Sequence, residues 1–450
     1  MPSRTNSPLR VAVLADSDTR WKWGALTAQR LVPDDSESGR SMDGFLLRGR
    51  ATPTVRQLAE VGVRADSLRE VTGVEFVSAV DRERYDVIVL SLVGGAVQAM
   101  LHGLARAWEG AARRPVVVTG YVGVVYEKLA DGLLLRHGAD VVLANSRHDA
   151  ERFREVYTGV GASADSVVEC ALPFLGGARY DEKAREGRAY PGGTVVFAVQ
   201  PSVPDNRADR TYLLRRAVEH ARAHSDREVL VKLRSKPGEH TTHIEELPYQ
   251  KLLGKLGDDV PKNFRLAYGN MGEVLDTTDL LVTVSSTAAL ESLHRGIPTA
   301  VLTDLGVREV LGNHHFLGSG CLASWDQLDA GHLPVPDPDW VSRQGVAADG
   351  AYETAFDAAR QRVAELAARQ LPPLAPYYTR ATAPGYLPAR LARYGFEPDG
   401  RPRPGAAAGE AAQVSGLRRV VRNTMREAAR GAYRHGVQRV APVIRRMGEL

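Results

Sequence analysis

Short apolar runs alternate with amphipathic stretches along the first part of the chain. Each run is rich in Val, Leu, Ile and Ala and ends in polar residues, which is typical of a buried parallel strand followed by a loop. The runs are LRVAVLADSD, YDVIVLSLVGG, RPVVVTGYVG and ADVVLANS. The stretches between them have helical periodicity, and Ser146 is a suitable N-cap for one of them. This alternation predicts right-handed crossovers and a doubly wound parallel sheet.

The polar, glycine-rich stretch 176–193 reads as a linker, and the same alternation starts again after it. Strands are predicted at 193–201 and 227–239, and then in PKNFRLAYGN, DLLVTVSS and PTAVLTD, with helices between them. We therefore expect an α/β chain with two doubly wound, Rossmann-like domains. In such a chain the loops that follow the strands are expected to face each other across a cleft.

The region after the second predicted domain differs in composition from the two domains. It contains a long amphipathic stretch at 350–370, then the low-complexity segment FEPDGRPRPGAAAGEAAQ, and finally an arginine-rich stretch with apolar residues at helical spacing. The expected boundaries are domains at 1–180 and 193–345, helices packing back on the body at 346–395, a disordered linker at 396–415 and a basic amphipathic helix at 416–450.

Composition and charge narrow the class of protein. The chain has 450 residues, 44% of them hydrophobic and 25% charged, and only two cysteines, which suits a globular protein of a reducing cytoplasm. The N-terminus lacks the apolar core of a signal peptide, and no run reaches the roughly 18 apolar residues of a spanning helix. Residues 401–450 hold eleven arginines and three glutamates, so the rest of the chain is mildly acidic despite a net charge of +4. That profile argues against a nucleic-acid-binding body.

The basic segment 416–450 has three interpretations. It packs on the body as a solvated helix, it lies on an anionic membrane surface, or it binds nucleic acid, which is the weakest of the three because the body offers no basic face. Membrane attachment predicts a cytoplasmic protein held peripherally at the inner face of the plasma membrane.

Polar residues end the apolar strand of TDLLVTVSSTAALE, where Ser285, Ser286 and Thr287 precede a helix. Amide N–H groups and the positive end of the helix dipole converge at such a position, and added hydroxyls make it a pocket suited to phosphate. The simpler interpretation is that one serine only caps the helix. Three consecutive hydroxyls favour ligand binding.

This stretch resembles the nucleotide-sugar half of GT-B glycosyltransferases. The shared pattern is an Asp-led apolar strand, a Ser-Ser/Thr pair, a helix with Glu, and then Gly-x-Pro before another strand. The matching residues are Asp279, Ser285 to Thr287, Glu291, Gly296 and Pro298. The resemblance implies a GT-B fold, a donor phosphate held by the hydroxyls, and Glu291 near the donor ribose or sugar.

Within that class the pattern is most similar to bacterial sialyltransferases and polysaccharide transferases that use CMP-activated acidic sugars. These carry a His-Pro pair after a donor-domain strand, but Lys236-Pro237 stands in its place here. A lysine neutralises phosphate as a point charge and is no general acid near neutral pH. The chain as a whole resembles an uncharacterised family of actinobacterial glycosyltransferases. A CMP-nonulosonate donor is therefore expected first and a UDP-hexose second, with a glycan, lipid-linked or cell-wall polymer acceptor of the cell envelope.

The first domain is expected to bind the acceptor and to supply the general base for an inverting transfer. Asp16 and Asp18 follow the first strand, so either is a candidate base by position; Asp16 is alternatively a loop cap. Trp21 and Trp23 are expected to stack on a sugar or else to pack inside. The other acceptor-site candidates are Gly123, which allows close backbone approach, and Glu127.

No metal site or other cofactor is expected, because the DxD-like sequence Asp16-Ser17-Asp18 follows the first strand, which is not where metal-dependent transferases carry it. A metal-independent transfer would rely on side chains and a helix dipole to balance the leaving phosphate. Two other functions stay open: a nucleotide-sugar epimerase of the same fold, and a non-catalytic ligand-binding protein with two lobes.

Overall fold

The structure is a computed structural model. It describes residues 9–32, 41–49, 51–80, 85–125, 129–185, 189–236, 239, 245, 247–256, 260–346 and 351–406. These residues divide into two compact units. The first contains residues up to 174, 343–345 and the C-terminal segment from 351, and the second contains 175–342 and 346.

The first unit begins with a parallel α/β sheet. Its strands are β1 Arg10–Ala15, β2 Ser41–Leu47, β3 Ser67–Val71, β4 Val87–Ser91, β5 Val116–Gly120, β6 Val141–Ala144 and β7 Val167–Glu169. Its helices up to this point are α1 Asp18–Leu31, α2 Val55–Val61, α3 Gly73–Ala79, α4 Gly94–Ala107, α5 Leu129–Leu134 and α6 Arg147–Gly159. Strands β4, β5 and β6 are buried along their whole length, as expected of central parallel strands covered on both faces.

The strand order of the first sheet is β3-β2-β1-β4-β5-β6-β7, and every pairing is parallel. The direction in which strands are added reverses between β1 and β4. Ligands of open α/β sheets bind beside the carboxyl ends of the strands at such a switch point. The loops after β1 and β4 therefore lie where sheets of this type bind ligands.

The second unit repeats this architecture. Its strands are β8 Thr194–Ala198, β9 Glu228–Lys232, β10 Phe264–Ala267, β11 Leu280–Thr283, β12 Thr299–Leu302 and β13 Leu322–Ala323, in the parallel order β10-β9-β8-β11-β12-β13. Its helices are α7 Arg207–Ala223, α8 Tyr249–Leu253, α9 Met271–Leu275, α10 Ala288–Arg295, α11 Trp325–Asp329 and α12 Pro338–Arg343, with short 3-10 helices at Glu182–Arg185, Glu309–Leu311 and Asn313–Phe316. The switch point lies between β8 and β11. The two predicted doubly wound sheets are confirmed.

The C-terminal segment belongs to the first unit. It contains a 3-10 helix at Ala351–Thr354 and the helices α13 Asp357–Ala367 and α14 Leu387–Ala392, so the predicted long helix at 350–370 is shorter than expected. Tyr352 donates to the Leu172 carbonyl at 2.9 Å. This hydrogen bond ties the start of the segment to the loop after β7.

One segment differs from the composition-based expectation. Residues 396–406 were expected in a disordered linker, but Phe396 is fully buried, and its ring would lie 2.8 Å from a Cβ placed at Gly103. In the predicted linker 176–193, the Gly176 carbonyl accepts a hydrogen bond from Arg295 at 2.7 Å. Contacts between residues this far apart in the chain leave no mark in composition.

The predicted helix at 416–450 lies outside the described residues. Among the helices that the structure does describe, none combines the length and the apolar character needed to cross a bilayer.

Candidate functional site

The predicted hydroxyl triplet of the second unit lies at the carboxyl end of β11, where the strand meets α10. Ser285 is 1% exposed, and its hydroxyl lies 2.5 Å from the Leu311 carbonyl and 3.2 Å from Gln200 Oε1. The Ser285 amide also donates to Gln200 Oε1, at 3.1 Å. Ser285 is therefore an internal residue that orients Gln200. The expectation that its hydroxyl holds phosphate is wrong, because that hydroxyl faces the protein interior.

Ser286 and Thr287 are half-buried at the start of α10. The Ser286 hydroxyl accepts from the Ala288 amide at 3.2 Å, so the capping interpretation applies to this residue. The carbonyl of Thr287 accepts from the Leu290 amide, but its own amide and hydroxyl have no partner among the described residues. The Thr287 amide, the Thr287 hydroxyl and the Ser286 hydroxyl proton thus remain as hydrogen-bond donors at the positive end of the helix dipole.

Gln200 is the residue of this site that sequence reasoning missed. It follows β8, the strand beside β11 at the switch point, and its Oε1 accepts both hydrogen bonds from Ser285. With Oε1 engaged in this way, the side-chain NH₂ group is left as a donor at the same edge of the sheet. The polar end of GTVVFAVQP was the available signal.

The other predicted donor-site residues are Lys236, Pro237 and Glu291. Lys236 is exposed after β9, its amide donates to Glu239, and its ammonium lies 5.7 Å from the centre of the Tyr268 ring. Glu291 lies on α10 and is 8% exposed. Pro237 lies outside the described residues. Strands β9, β8 and β11 are neighbours, so Lys236 and the start of α10 share one edge of the sheet.

The first-unit carboxylates lie at the end of β1, as predicted. Asp16 accepts from Arg20 Nη1 and from the Val93 amide, each at 3.0 Å, and so ties the start of α1 to the start of α4. Both of its carboxylate oxygens are engaged, which suits a positioning residue better than a base. Asp18 is the first residue of α1, after the N-cap Ser17.

The two tryptophans were expected to offer a face to a sugar, or else to pack inside. Trp21 is 1% exposed and Trp23 is not exposed at all. The indole N–H of Trp23 lies 3.4 Å from Asn145 Oδ1. The stacking expectation is therefore wrong and the packing alternative is right, because Trp21 packs beside Gly44 of β2 and Trp23 beside Gly120 of β5. Gly123 lies in the loop after β5, and Glu127 lies outside the described residues.

A cavity of about 600 Å³ in the first unit was not predicted. It lies at the carboxyl ends of the strands around the β1–β4 switch point. Its charged and aromatic lining residues are Arg20, Arg136, Arg390, Asp131, Tyr121, Tyr378 and Tyr386. The pair Gly94-Gly95 after β4 was the available sequence signal, because adjacent glycines allow close approach to a backbone.

One cluster in the second unit brings candidate metal-ligand atoms together. Atoms of His220, His224 and Asp329 lie within 4.8 Å of one another, and His220 Nδ1 is 2.6 Å from Asp329. Arg216 donates to Asp329 at 2.8 Å, and Arg227 Nη1 lies 3.5 Å from His220 Nε2. Two guanidinium groups thus already face the cluster, which suits an internal ion-pair network better than a metal cation.

Asp149, in the first turn of α6, is a buried carboxyl group that makes the stability of the first unit depend on pH. Burial raises the pKa of this carboxyl from 3.8 to about 6. The folded protein therefore keeps a proton that the unfolded chain has released, so stability falls as the pH rises from about 4 to about 6. We expect D149N to raise the free energy of unfolding of the first unit at pH 7.5 by up to about 3 kcal/mol, and by little at pH 4.

Calorimetric melting at both pH values, with the transition of the first unit analysed separately from that of the second, measures this effect. The exposed Asp165 provides the control, since D165N is expected to change neither melting curve. Equal stabilisation by D149N at both pH values would contradict the explanation.

The chain was compared with known proteins. The sequence profile of the family described as "Putative glycosyltransferase (DUF6716)" matches residues 11–366. No curated protein matches the chain. A structure of UDP-GlcNAc 2-epimerase from Neisseria meningitidis, bound to UDP-GlcNAc, is 10% identical, with a TM-score of 0.51 over 79% of this chain and 100% of that one. A UDP-glucosyltransferase from Polygonum tinctorium is 13% identical, with a TM-score of 0.50 over 80% of this chain and 99% of that one. These likenesses confirm the predicted GT-B fold.

Proposed function

The chain belongs to the family described as "Putative glycosyltransferase (DUF6716)", and we propose that it transfers a sugar from a nucleotide-activated donor to an acceptor hydroxyl. The observation that carries the proposal is the start of α10. There the Thr287 amide and hydroxyl have no partner in the described part of the chain, at the switch point of a nucleotide-binding type of sheet. A nucleotide phosphate would satisfy both donors.

The donor site is assembled from the two strands at that switch point. Thr287 and Ser286 come from the β11 side, and the Gln200 side-chain amide comes from the β8 side. Hydrogen bonds to a charged phosphate oxygen are stronger than those between neutral groups, and the helix dipole adds to them. Glu291 and Lys236 are proposed as donor contacts outside this cradle. A CMP-nonulosonate is the first candidate donor, and a UDP-hexose is the second.

The proposed transfer is inverting and needs no metal. The acceptor oxygen attacks the anomeric carbon, the bond from that carbon to the phosphate oxygen breaks, and the electron pair leaves with the nucleotide. Donors at the start of α10 stabilise the departing phosphate. Asp18 accepts the acceptor proton, with Asp16 fixing the loop beside it through its bonds to Arg20 and Val93.

The acceptor is proposed to be a glycan or a lipid-linked or cell-wall polymer. The basic segment 416–450 would hold the chain at an anionic membrane, where each basic residue adds about 1 kcal/mol of attraction. Co-sedimentation with phosphatidylserine vesicles tests this, because a chain that ends at residue 406 should then stay in the supernatant. Equal sedimentation of both chains would exclude the attachment.

Calorimetric titration of the full chain with CMP, UDP and GDP tests the enzyme function. We expect one nucleotide to bind at micromolar concentrations and the matching nucleotide sugar to be hydrolysed slowly without acceptor. Epimerisation of a UDP-sugar without transfer would identify an epimerase instead. Absence of binding by all three nucleotides and their sugars would overturn the proposal.

A further inference from the structure

The cavity of the first unit has an unusual charge arrangement, centred on Arg136. This side chain is 4% exposed, and its hydrogen bonds go to three backbone carbonyls: Gly120 at 3.0 Å, Gly132 at 2.8 Å and Leu92 at 3.3 Å. No carboxylate pairs with it in the described part of the chain. A buried cation held only by neutral acceptors is costly, and an anion would offset that cost.

A second guanidinium reaches the same place. Arg390, on α14, also lines the cavity, and it bonds to the Tyr386 hydroxyl at 2.8 Å and to no carboxylate among the described residues. A Cβ at Gly95 would lie 2.8 Å from Arg390 Nη1, and one at Gly94 would lie 3.2 Å from Arg136 Nη1. The glycine pair thus lets both guanidinium groups contact the first turn of α4.

The first turn of α4 adds positive potential to that of the two arginines. Its N-cap, Val93, provides no side-chain cap, and its amide donates to Asp16. The amides of Gly94 and Gly95 have no partner among the described residues, and they lie at the positive end of a helix of 14 residues. Arg20 lines the same cavity and carries a further charge, although Asp16 binds it. Burial lowers the pKa of Arg136 below its ordinary value, and the charge of Arg20 lowers it further, whereas Tyr121 and Asp16 raise it. Among the described residues that line the cavity, three arginines face one carboxylate, that of Asp131.

We propose that this cavity binds a phosphate ester carried by the acceptor. Guanidinium forks from two elements and helix N–H groups from a third approach from several directions, which suits the tetrahedral oxygens of phosphate better than a planar carboxylate. The rings of Tyr378 and Tyr386, whose centres are 5.6 Å apart, form a wall for the sugar or apolar body that carries the phosphate. This inference rests on the proposed function only in taking the ligand to be the acceptor.

Calorimetric titration of the full chain with glucose 1-phosphate, inorganic phosphate and glucuronate tests the proposal. We expect glucose 1-phosphate to bind most tightly and R390Q to weaken it roughly tenfold or more, the effect of losing a charged hydrogen bond. R136K, which keeps the charge but loses the fork, should weaken binding as well. The matched control is R393Q, an exposed arginine at the end of the same helix and outside the cavity, which should bind as the natural chain does.

The outcomes separate this inference from the proposed function. Unchanged phosphate-ester binding in both R390Q and R136K overturns it, as does equally tight binding of glucuronate. If R390Q instead weakens CMP or UDP, the cavity serves the donor and the inference is wrong. If phosphatidic acid vesicles displace glucose 1-phosphate, the cavity accepts a lipid-borne phosphate. If glucose 1-phosphate binds and the vesicles do not compete with it, the phosphate is carried by a soluble molecule. Failure of every nucleotide to bind would overturn the proposed function and leave this result standing.

Discussion

Removing the two hydroxyls at the start of α10 in the double variant S286A/T287V is expected to lower the affinity for the donor nucleotide roughly a hundredfold or more. Each hydroxyl is proposed to donate to a phosphate oxygen, and a hydrogen bond to a charged group contributes about 1.5–3 kcal/mol. Valine keeps the β-branched shape of Thr287. Titration of the variant with the nucleotide that binds the natural chain measures the loss.

The control for this variant must separate ligand binding from helix capping. The Ser286 hydroxyl caps the Ala288 amide, and loss of a cap costs about 1 kcal/mol of stability. Ser324 caps α11 in the same unit by accepting from the Gln327 amide at 3.3 Å, so S324A removes a comparable cap. We expect S324A to lose stability but to bind nucleotide normally. If S286A/T287V binds as tightly as S324A, the phosphate lies elsewhere.

The strand-end position of this site was predictable from sequence, but the role of each hydroxyl was not. The apolar runs of β8 and β11 are local signals, and their topology brings the following loops to one edge of the sheet. Ser285 and Ser286 look alike in the sequence, yet only Ser285 is buried. Its partners Gln200 and Leu311 are 85 and 26 residues away. Pairing over such distances depends on the tertiary fold and leaves no local pattern.

In the first unit, too, the position of the site was predictable from sequence but the roles of its side chains were not. The loop after β1 was predictable, but the choice between sugar stacking and internal packing for Trp21 and Trp23 was not, because sequence alone does not show which side chains of α1 pack on the sheet. The arginines of the cavity were missed for a related reason. Arg136 is surrounded by carbonyls from Gly120 and Leu92, and Arg390 arrives from a helix far along the chain. Each looks like an ordinary surface arginine until the fold brings them together.

Replacing Arg114 by methionine is expected to destabilise the first unit by about 3–5 kcal/mol. The Arg114 guanidinium makes two hydrogen bonds to Asp140, at 2.6 and 2.8 Å, and both side chains are less than a tenth exposed. It also donates to the Pro372 carbonyl at 2.9 Å, which fixes the C-terminal segment to the sheet. R114M leaves the Asp140 carboxylate buried without its counter-charge, and breaking a buried pair in this way has an effect of this size.

The measurement should report on the first unit alone, because a chain of two units does not have one free energy of unfolding. Hydrogen exchange of β5 and β6 does so, since the Val117 amide itself donates to Asp140 at 2.8 Å. R114M should lower protection there at least a hundredfold, whereas R343M, which breaks an exposed pair with Glu151, should change it by less than about 1 kcal/mol. The double variant R114M/D140N removes both charges and should recover most of the loss. If the double variant is as unstable as R114M, the loss of stability comes from the missing hydrogen bond to Pro372 and not from the unpaired Asp140 carboxylate.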